Sequence, residues 1–473
     1  MSTLQPYALP DATALLQQRQ QDDFCLEKQL NRHLGLLDDI QPRLNPASHV
    51  LRQEAMDQLA TLPDGVLHGL PCSVKETLGI AGQAITAGSN YMRPIVPGED
   101  SPVVARLKAA GAVIMARGNV PEFAMTAESS NPRYGLTRNP LDPSRVAGGS
   151  SGGDAVMVAS GAVAFGVGSD ILGSIRIPAA FCGVVGFKPA SAAVPKQGCW
   201  PTIAGFTDSW LAVGPITRSV RDARLVYQVL SGQTLPEAPP LRTLRLIDAD
   251  AFPWRPESAC IEQALAAART ALLADGMQAE QQRFDEVAAL YDLMAPMLLH
   301  DLQDDWYGLL RSGGRSFHLL AEAWRQLTGR PGIDRGMFMW LVYAATSGRL
   351  TRPRSAAQAE RLIGRFQTVR ELYRSILGED GILLLPTMGL LAPPHGEMNR
   401  RSLRPGLNRQ LSPLALCNYA DLPAIAVPGW RFADPATGLP PSVMLVCAPG
   451  NESALLAAAE RVQAALTPLR GAA

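Results

Sequence analysis

Apolar positions at helical spacing open the chain: between Asp11 and Asp39, Leu15, Leu16, Leu26, Leu30, Leu34 and Leu37 recur among glutamines and charges, which predicts one or two amphipathic helices. The stretch 103–110 reads as another helix, and 112–116, Ala-Val-Ile-Met-Ala between glycines 111 and 118, reads as a buried strand. Residues 154–160 predict a helix of small side chains and 162–168 a strand, so a β-α-β rhythm runs through this part of the chain. Further on, 244–247 predicts a strand and 258–275 a long alanine-rich helix, after a proline-rich break at 235–240 that suits a linker or a surface crossover. From 287 to 377 the pattern is mostly helical, and 382–386 and 424–428 predict late buried strands ending at prolines.

Length permits more than one domain: 473 residues correspond to about three units of ~150 residues, or to one large α/β fold. Lysine plus arginine and aspartate plus glutamate both total 43, so no net field draws the chain to nucleic acid or a polyanion, and small neutral ligands fit this balance. The strongest apolar run, 336–345, is shorter than the roughly 20 residues of a spanning helix. The first ten residues carry no basic residue and no long apolar run, which argues against a secretory signal. Seven scattered cysteines without a C-x-x-C pair read as reduced thiols, and the expectation is a cytoplasmic protein.

Three segments carry chemistry: Lys75 in Gly69-Leu70-Pro71-Cys72-Ser73-Val74-Lys75, the run Gly148-Gly149-Ser150-Ser151-Gly152-Gly153, and Gly173-Ser174-Ile175-Arg176-Ile177-Pro178. A serine hydroxyl becomes a useful nucleophile when a neighbour removes its proton, and a lysine does this if burial keeps it partly neutral. Ser174 falls in a loop just past a strand, where α/β sheets open onto ligand crevices. The glycine-serine run alone also suits a flexible turn, and it lacks the Gly-Lys-Ser/Thr of a phosphate-binding loop. Cys182 lies in an apolar Ala-Phe-Cys-Gly-Val run and reads as packing. The six histidines show no H-E-x-x-H and no close pairing with cysteine, so no metal site is expected. Trp306, Tyr307, Trp324, Phe338, Trp340 and Tyr343 make the helical stretch aromatic, as core packing or as channel lining.

The segment from Asp170 to Pro189 resembles the amidase signature family, as do the 24 positions between Ser150 and Ser174, the 75 between Lys75 and Ser150, and Gly214-Pro215-Ile216-Thr217-Arg218-Ser219. The resemblance extends to Leu384-Leu385-Pro386-Thr387 and Asn418-Tyr419-Ala420-Asp421-Leu422-Pro423-Ala424. It implies a single α/β/α domain over 1–473 on a large, mixed, mostly parallel, twisted sheet. Within it lie an N-terminal helical segment at about 1–65, a catalytic core at about 66–232 and a variable helical region bordering the substrate at about 285–377. It also implies an amidohydrolase in which Ser174 attacks the amide carbonyl, Ser150 relays its proton to Lys75, and the peptide before Ser150 is cis. By the same resemblance the N–H groups of Ile171, Leu172, Gly173 and Ser174 form the oxyanion hole. Ser151, Asp170 and Arg176 then support the loop, and Leu172 and Trp340 touch substrate.

No metal or cofactor is implied, and the partner is a small-molecule amide; a homo-oligomer is compatible with this. Ile171-Leu172 stands where family members more often have Thr-Gly, and Glu76 where most have aspartate, which leaves the role of Glu76 open. Three alternatives stand beside the hydrolase: an amide-forming transferase with an amine acceptor, a glutaminase-type amidotransferase subunit, and a non-catalytic binding protein. Ile177 stands where the amidotransferase branch often has glutamine.

Overall fold

The structure is a computed structural model and describes residues 4–19, 24–251, 256–283, 287–301, 305–314, 316–401 and 409–468. Thirteen strands form in these residues: β1 Ala47–Val50, β2 Pro71–Lys75, β3 Val113–Gly118, β4 Ser130–Asn131, β5 Gly135–Leu136, β6 Phe165–Asp170, β7 Val185–Lys188, β8 Ala212–Thr217, β9 Arg245–Ala251, β10 Gln278–Arg283, β11 Gly381–Pro386, β12 Ala424–Pro428 and β13 Ser442–Val446. β4 and β5 make a small hairpin, and the other eleven form one sheet in the order β1-β3-β2-β6-β8-β7-β12-β13-β11-β9-β10.

The sheet is large and mixed, as expected, but not mostly parallel. Six of its ten neighbouring pairs run antiparallel and four parallel. Parallel pairing follows helical crossovers, which give β3-β2-β6 and β11-β9-β10. In the middle the chain returns without a long helix: only a 3-10 turn, Gly205–Trp210, lies between β7 and β8, and only Trp430–Phe432 between β12 and β13. Those strands pair antiparallel.

Both faces of the sheet are covered, which is why strands such as β11 and β12 read as unbroken apolar runs. Val74, Phe165 and Val167 join one hydrophobic cluster with Val226, Leu230, Leu455 and Leu456 from helices Val220–Ser231 and Glu452–Leu466. Ala116 and Ile216 join another with Val156, Val158, Ile175 and Ala179, from helices Gly152–Ala159 and Arg176–Cys182 and the loop between. The predicted helices appear as Pro102–Ala109 and Ala259–Ala274, and the stretch 287–377 as six helices. The N-terminal amphipathic pattern becomes two helices, Ala12–Gln18 and Leu26–Leu44, followed by the short strand β1. The break at 235–240 feeds β9 of the same sheet, so it is a crossover.

A buried carboxylate fastens helix Ala12–Gln18 to helix Val220–Ser231, beside the ion pair of Asp11 with Arg221. Asp222 accepts hydrogen bonds from the N–H groups of Ala12 and Thr13 at 2.6 and 2.9 Å and from the Thr13 hydroxyl at 2.6 Å. Asp222→Ala strands these donors, and stability should fall by about 2–3 kcal/mol in a urea titration; an unchanged midpoint would show that packing and the contacts of Arg221 with Asp11 and of Arg218 with the Pro10 carbonyl suffice to hold the helix.

Candidate active site

β2 and β6 are parallel neighbours, so their C-terminal ends lie side by side. Lys75 closes β2 and Asp170 closes β6, and the chain then turns through Ser174 into helix Arg176–Cys182. Ser150 arrives from the turn before helix Gly152–Ala159, after a cis peptide bond from Gly149. That turn presses against neighbouring backbone: a β-carbon on Gly149 would lie 2.7 Å from the carbonyl oxygen of Thr126. Glycine is therefore required by space at this position.

The three residues converge. Lys75 Nζ donates to Ser150 Oγ at 2.6 Å, to Ser169 Oγ at 2.9 Å and to the Ser169 carbonyl at 3.3 Å. Lys75, Ser150, Ser169 and Ser174 line one narrow cavity of about 30 Å³, whose other walls are Phe123, Ala124, Met125, Ile171, Trp200, Pro201, Ile203, Leu211 and Leu298. Ser174 is the most accessible of the three at 9%, against 0% for Lys75 and 1% for Ser150. The Ser151 N–H donates to the Ser174 carbonyl at 3.0 Å and ties the two serine loops together.

Burial pushes the Lys75 ammonium down to about 8, while Cys199, Asp154 and Asp170 favour its charged form. Asp154 sits among β2, β3 and β6. Its Oδ1 accepts from Ser73 at 2.7 Å, and a β-carbon on Gly118 would lie 2.2 Å from its Oδ2, so the glycine makes room for the carboxylate. Oδ2 has no hydrogen-bond partner among the described residues, and burial pushes the group up to about 7.

The loop that carries Ser174 is held by a buried polar cluster. Arg176 grips Asp170 through Nε and Nη2, both at 3.0 Å, and its Nη2 also donates to Asn418 Oδ1 at 2.7 Å. Asn418 Nδ2 donates in turn to Asp170 Oδ1 at 3.0 Å and to the Trp210 carbonyl at 3.0 Å. Burial opposes ionisation of Asp170, but Arg176 and the Asn418 amide hold its carboxyl well below the usual carboxylate range. Asp170 also accepts the N–H of Gly173 at 2.7 Å and of Ile175 at 3.1 Å. The Gly173 N–H, expected among the oxyanion donors, is thus already engaged. The N–H groups of Ile171, Leu172 and Ser174 have no protein acceptor among the described residues.

Two residues expected to touch substrate, Leu172 and Trp340, do not line this cavity. Leu172 packs on the cluster that contains Leu383, Leu385 and Leu414, and Ile171 reaches the cavity wall in its place. Trp340 packs on the core with its ring 5.6 Å from Tyr343, and the helical stretch reaches the cavity through Leu298. The side chains of Trp306 and Tyr307 lie outside the described residues. Glu76 holds a neighbouring turn, its carboxylate accepting from the Thr86 N–H and hydroxyl at 2.6 and 2.8 Å and from the Ala87 N–H at 3.1 Å. Cys182 is fully buried with Sγ 3.2 Å from the Ala147 carbonyl, and burial pushes its thiol up, away from reactivity. Sequence reasoning missed Ser169, Phe123, Met125 and Trp200; each lies in a segment without a spacing signal of its own. Among the described residues no three His, Cys, Asp or Glu side chains cluster as a metal site.

The family profile described as Amidase matches residues 31–456. This chain belongs to the amidase family. A glutamyl-tRNA(Gln) amidotransferase subunit from Syntrophobacter fumaroxidans is 37% identical over 238 residues, 48% of each chain. Fatty-acid amide hydrolase 2-B from Danio rerio is 29% identical over 343 residues, 70% of this chain and 64% of that one. The matches span 34% to 48% of the length of the amidotransferase relatives. Among solved structures, one described as an amidase superposes with a TM-score of 0.79 at 25% identity, over 97% of this chain and 100% of that one. A 6-aminohexanoate cyclic dimer hydrolase does so with 0.77 at 22% identity over 98% of both, a likeness of fold.

Removing Arg176 leaves the carboxylate of Asp170 buried with its main countercharge gone. Arg176→Met should therefore cost about 3–5 kcal/mol of stability, read by chemical denaturation, and the double variant Asp170→Leu with Arg176→Met should recover part of it; a loss below 1 kcal/mol, roughly that of an exposed pair, would contradict the assigned burial.

Proposed function

We propose that this chain is an amidohydrolase that cleaves a carboxamide C–N bond through an acyl–Ser174 intermediate, with Ser150 as proton relay and Lys75 as general base. The observation that carries this reading is the 2.6 Å hydrogen bond between a fully buried lysine and Ser150, in a cavity that Ser174 shares. Ser174 Oγ attacks the carbonyl carbon; its proton passes to Ser150 Oγ as the Ser150 proton passes to neutral Lys75. The ammonium so formed returns a proton through Ser150 to the departing amine nitrogen, and the C–N bond breaks. Water then attacks the acyl–Ser174 ester along the same relay and releases the acid. Negative charge on the carbonyl oxygen is met by the N–H groups of Ile171, Leu172 and Ser174, with Gly173 held back by Asp170.

The apolar walls from Phe123, Met125, Trp200, Ile203, Leu211 and Leu298 favour a small-molecule amide with an apolar group beside the carbonyl. Seven free cysteines support a cytoplasmic setting. The likeness to amidotransferase subunits favours a second reading, in which glutamine is the amide and ammonia passes to a partner protein. A glutaminase assay separates the two: ammonia release from glutamine at a rate matching that on aryl and aliphatic amides would select the second.

Ser174→Ala should abolish labelling by a fluorophosphonate and lower kcat/KM by at least about 10³-fold; retained labelling would remove Ser174 as nucleophile.

The base must be neutral to act, so kcat/KM should rise with pH as Lys75 loses its proton and level off above about 8. The Asp154 carboxylate favours the ammonium. Asp154→Asn therefore lowers the lysine pKa and should move the acid limb of the profile to lower pH; a limb that stays in place would show that Asp154 has no electrostatic hold on Lys75.

A further inference from the structure

Three consecutive residues, Phe123, Ala124 and Met125, form one wall of the cavity that Lys75, Ser150 and Ser174 share. The first two take a left-handed backbone, with φ 57° and ψ 17° at Phe123 and φ 56° at Ala124. Neither is a glycine, and a residue with a β-carbon is disfavoured in this region by clashes with its own backbone. Such a turn persists only where its surroundings enforce it, so whatever holds the turn also sets the shape of the wall.

The residue before the turn is bracketed on both sides. Glu122 is fully buried; its Oε1 accepts from the Ser89 hydroxyl at 2.7 Å and its Oε2 from the Asp334 N–H at 2.7 Å. Asp334 caps helix Arg335–Ala345 by accepting the Gly336 N–H at 2.8 Å, and the N–H groups of Gly332 and Ile333 just before it are taken by the buried Glu322 at 2.8 and 3.2 Å. The first turn of that helix presses on the residue after Met125: a β-carbon on Gly336 would lie 2.7 Å from Thr126 Cγ2. On the other side, Ser89 belongs to the turn whose Thr86 and Ala87 N–H groups are held by Glu76, next to Lys75, and the Ala87 carbonyl accepts the Phe123 N–H at 2.8 Å. One carboxylate thus joins the segment that follows the lysine strand to the helical stretch, across the cavity wall.

We propose that Glu122 is a positioning residue that holds Phe123, Ala124 and Met125 in their left-handed turn and so limits the size of the group that lies beside Ser174. This rests on the reading of Ser174 as nucleophile. The cavity is narrow, about 30 Å³, and the Phe123 ring stands 5.7 Å from that of Trp200, another of its walls. Releasing the turn frees the two rings to separate and admits a longer group. Helix Arg335–Ala345 contributes no residue to the cavity lining, yet the bracket gives it a hold on the wall through the Asp334 N–H. Burial pushes the Glu122 carboxyl up to about 8, against the hydrogen bonds from Asp334 and Ser89. Protonated, it still accepts the Asp334 N–H on one oxygen and donates to the Ser89 hydroxyl with the other, so the bracket depends on hydrogen-bond geometry and not on charge. Glutamine reproduces it, and alanine does not.

The test compares the rates at which Ser174 of the full chain is labelled by two fluorophosphonates that differ only in carrying an ethyl or an octyl group on phosphorus. Glu122→Ala should move the octyl-to-ethyl rate ratio by about fivefold or more toward the octyl reagent. Ser89→Ala, which removes half of the bracket and leaves the Asp334 contact, should move it less in the same direction, and it decides the matter if Glu122→Ala does not fold. Glu122→Gln should keep the ratio within about twofold of wild type. A purely structural anchor slows both reagents alike or lowers the melting temperature without touching the ratio. With the wild-type chain labelled, an unchanged ratio in the alanine variants, a shift toward the ethyl reagent, or a glutamine variant shifted as far as Glu122→Ala would overturn the proposal and leave Ser174 its role. A wild-type chain that neither reagent labels would overturn the assignment of Ser174, and this proposal with it.

Discussion

A primary amine held away from water, 2.6 Å from a serine hydroxyl, is the constraint around which this molecule is arranged. Lys75 ends the strand β2, which has parallel neighbours on both sides and residues buried throughout. An ammonium there loses its hydration, and its pKa falls toward neutrality. An exposed lysine at the same position in sequence would be a surface charge. The eleven-stranded sheet and its helical layers matter to the chemistry because they exclude solvent from this one nitrogen.

The second requirement is a rigid frame for the loop after β6. Its anchors lie far apart in the chain: Asp170 and Arg176 come from the first half, while Asn418 comes from helix Ser412–Tyr419 near the end. Each carboxylate oxygen of Asp170 serves both a side chain and a backbone N–H. Leu172 and Ser174, by contrast, keep N–H groups without acceptors among the described residues. One carboxylate thus settles which amides are structural and which remain open to a ligand.

Much of this is legible in the sequence, and the exceptions have physical causes. Lys75, Ser150 and Ser174 stand out through motifs and spacings that resemble the amidase signature family, and Ala424–Pro428 appears with the bounds its apolar run predicts. The strand that carries Lys75 gives no strand signal, because its five residues, Pro-Cys-Ser-Val-Lys, include a serine and a lysine that are buried through hydrogen bonds to Asp154 and Ser150 and so form no apolar run. Strand direction in the middle of the sheet is equally hidden, since a β-α-β rhythm in one part of the chain says nothing of the loop returns between β7 and β8 or β12 and β13. The cavity walls are invisible for another reason: Phe123, Trp200 and Leu298 meet only in three dimensions. Trp340 and Trp324 carry the same residue type in the same helical stretch, yet one packs on the core and the other faces water. Periodicity across several short helices does not distinguish them.

The buried cations show why Lys75 alone among them is suited to exchange protons. Arg117 donates to the carbonyls of Ala84, Glu76 and Leu78, and Arg218 to those of Pro10, Val158 and Val163. Lys188 donates to the carbonyls of Pro189 and Leu422. A carbonyl oxygen only accepts, so each of these sites rewards the protonated form and leaves a neutral amine with nothing to receive. Lys75 has one such carbonyl, at 3.3 Å, and its two shorter contacts are the hydroxyls of Ser150 and Ser169. A hydroxyl accepts from an ammonium and donates to an amine with a simple rotation of its proton. The site therefore satisfies Lys75 in both states, which is the property a proton relay needs and which its structural counterparts lack.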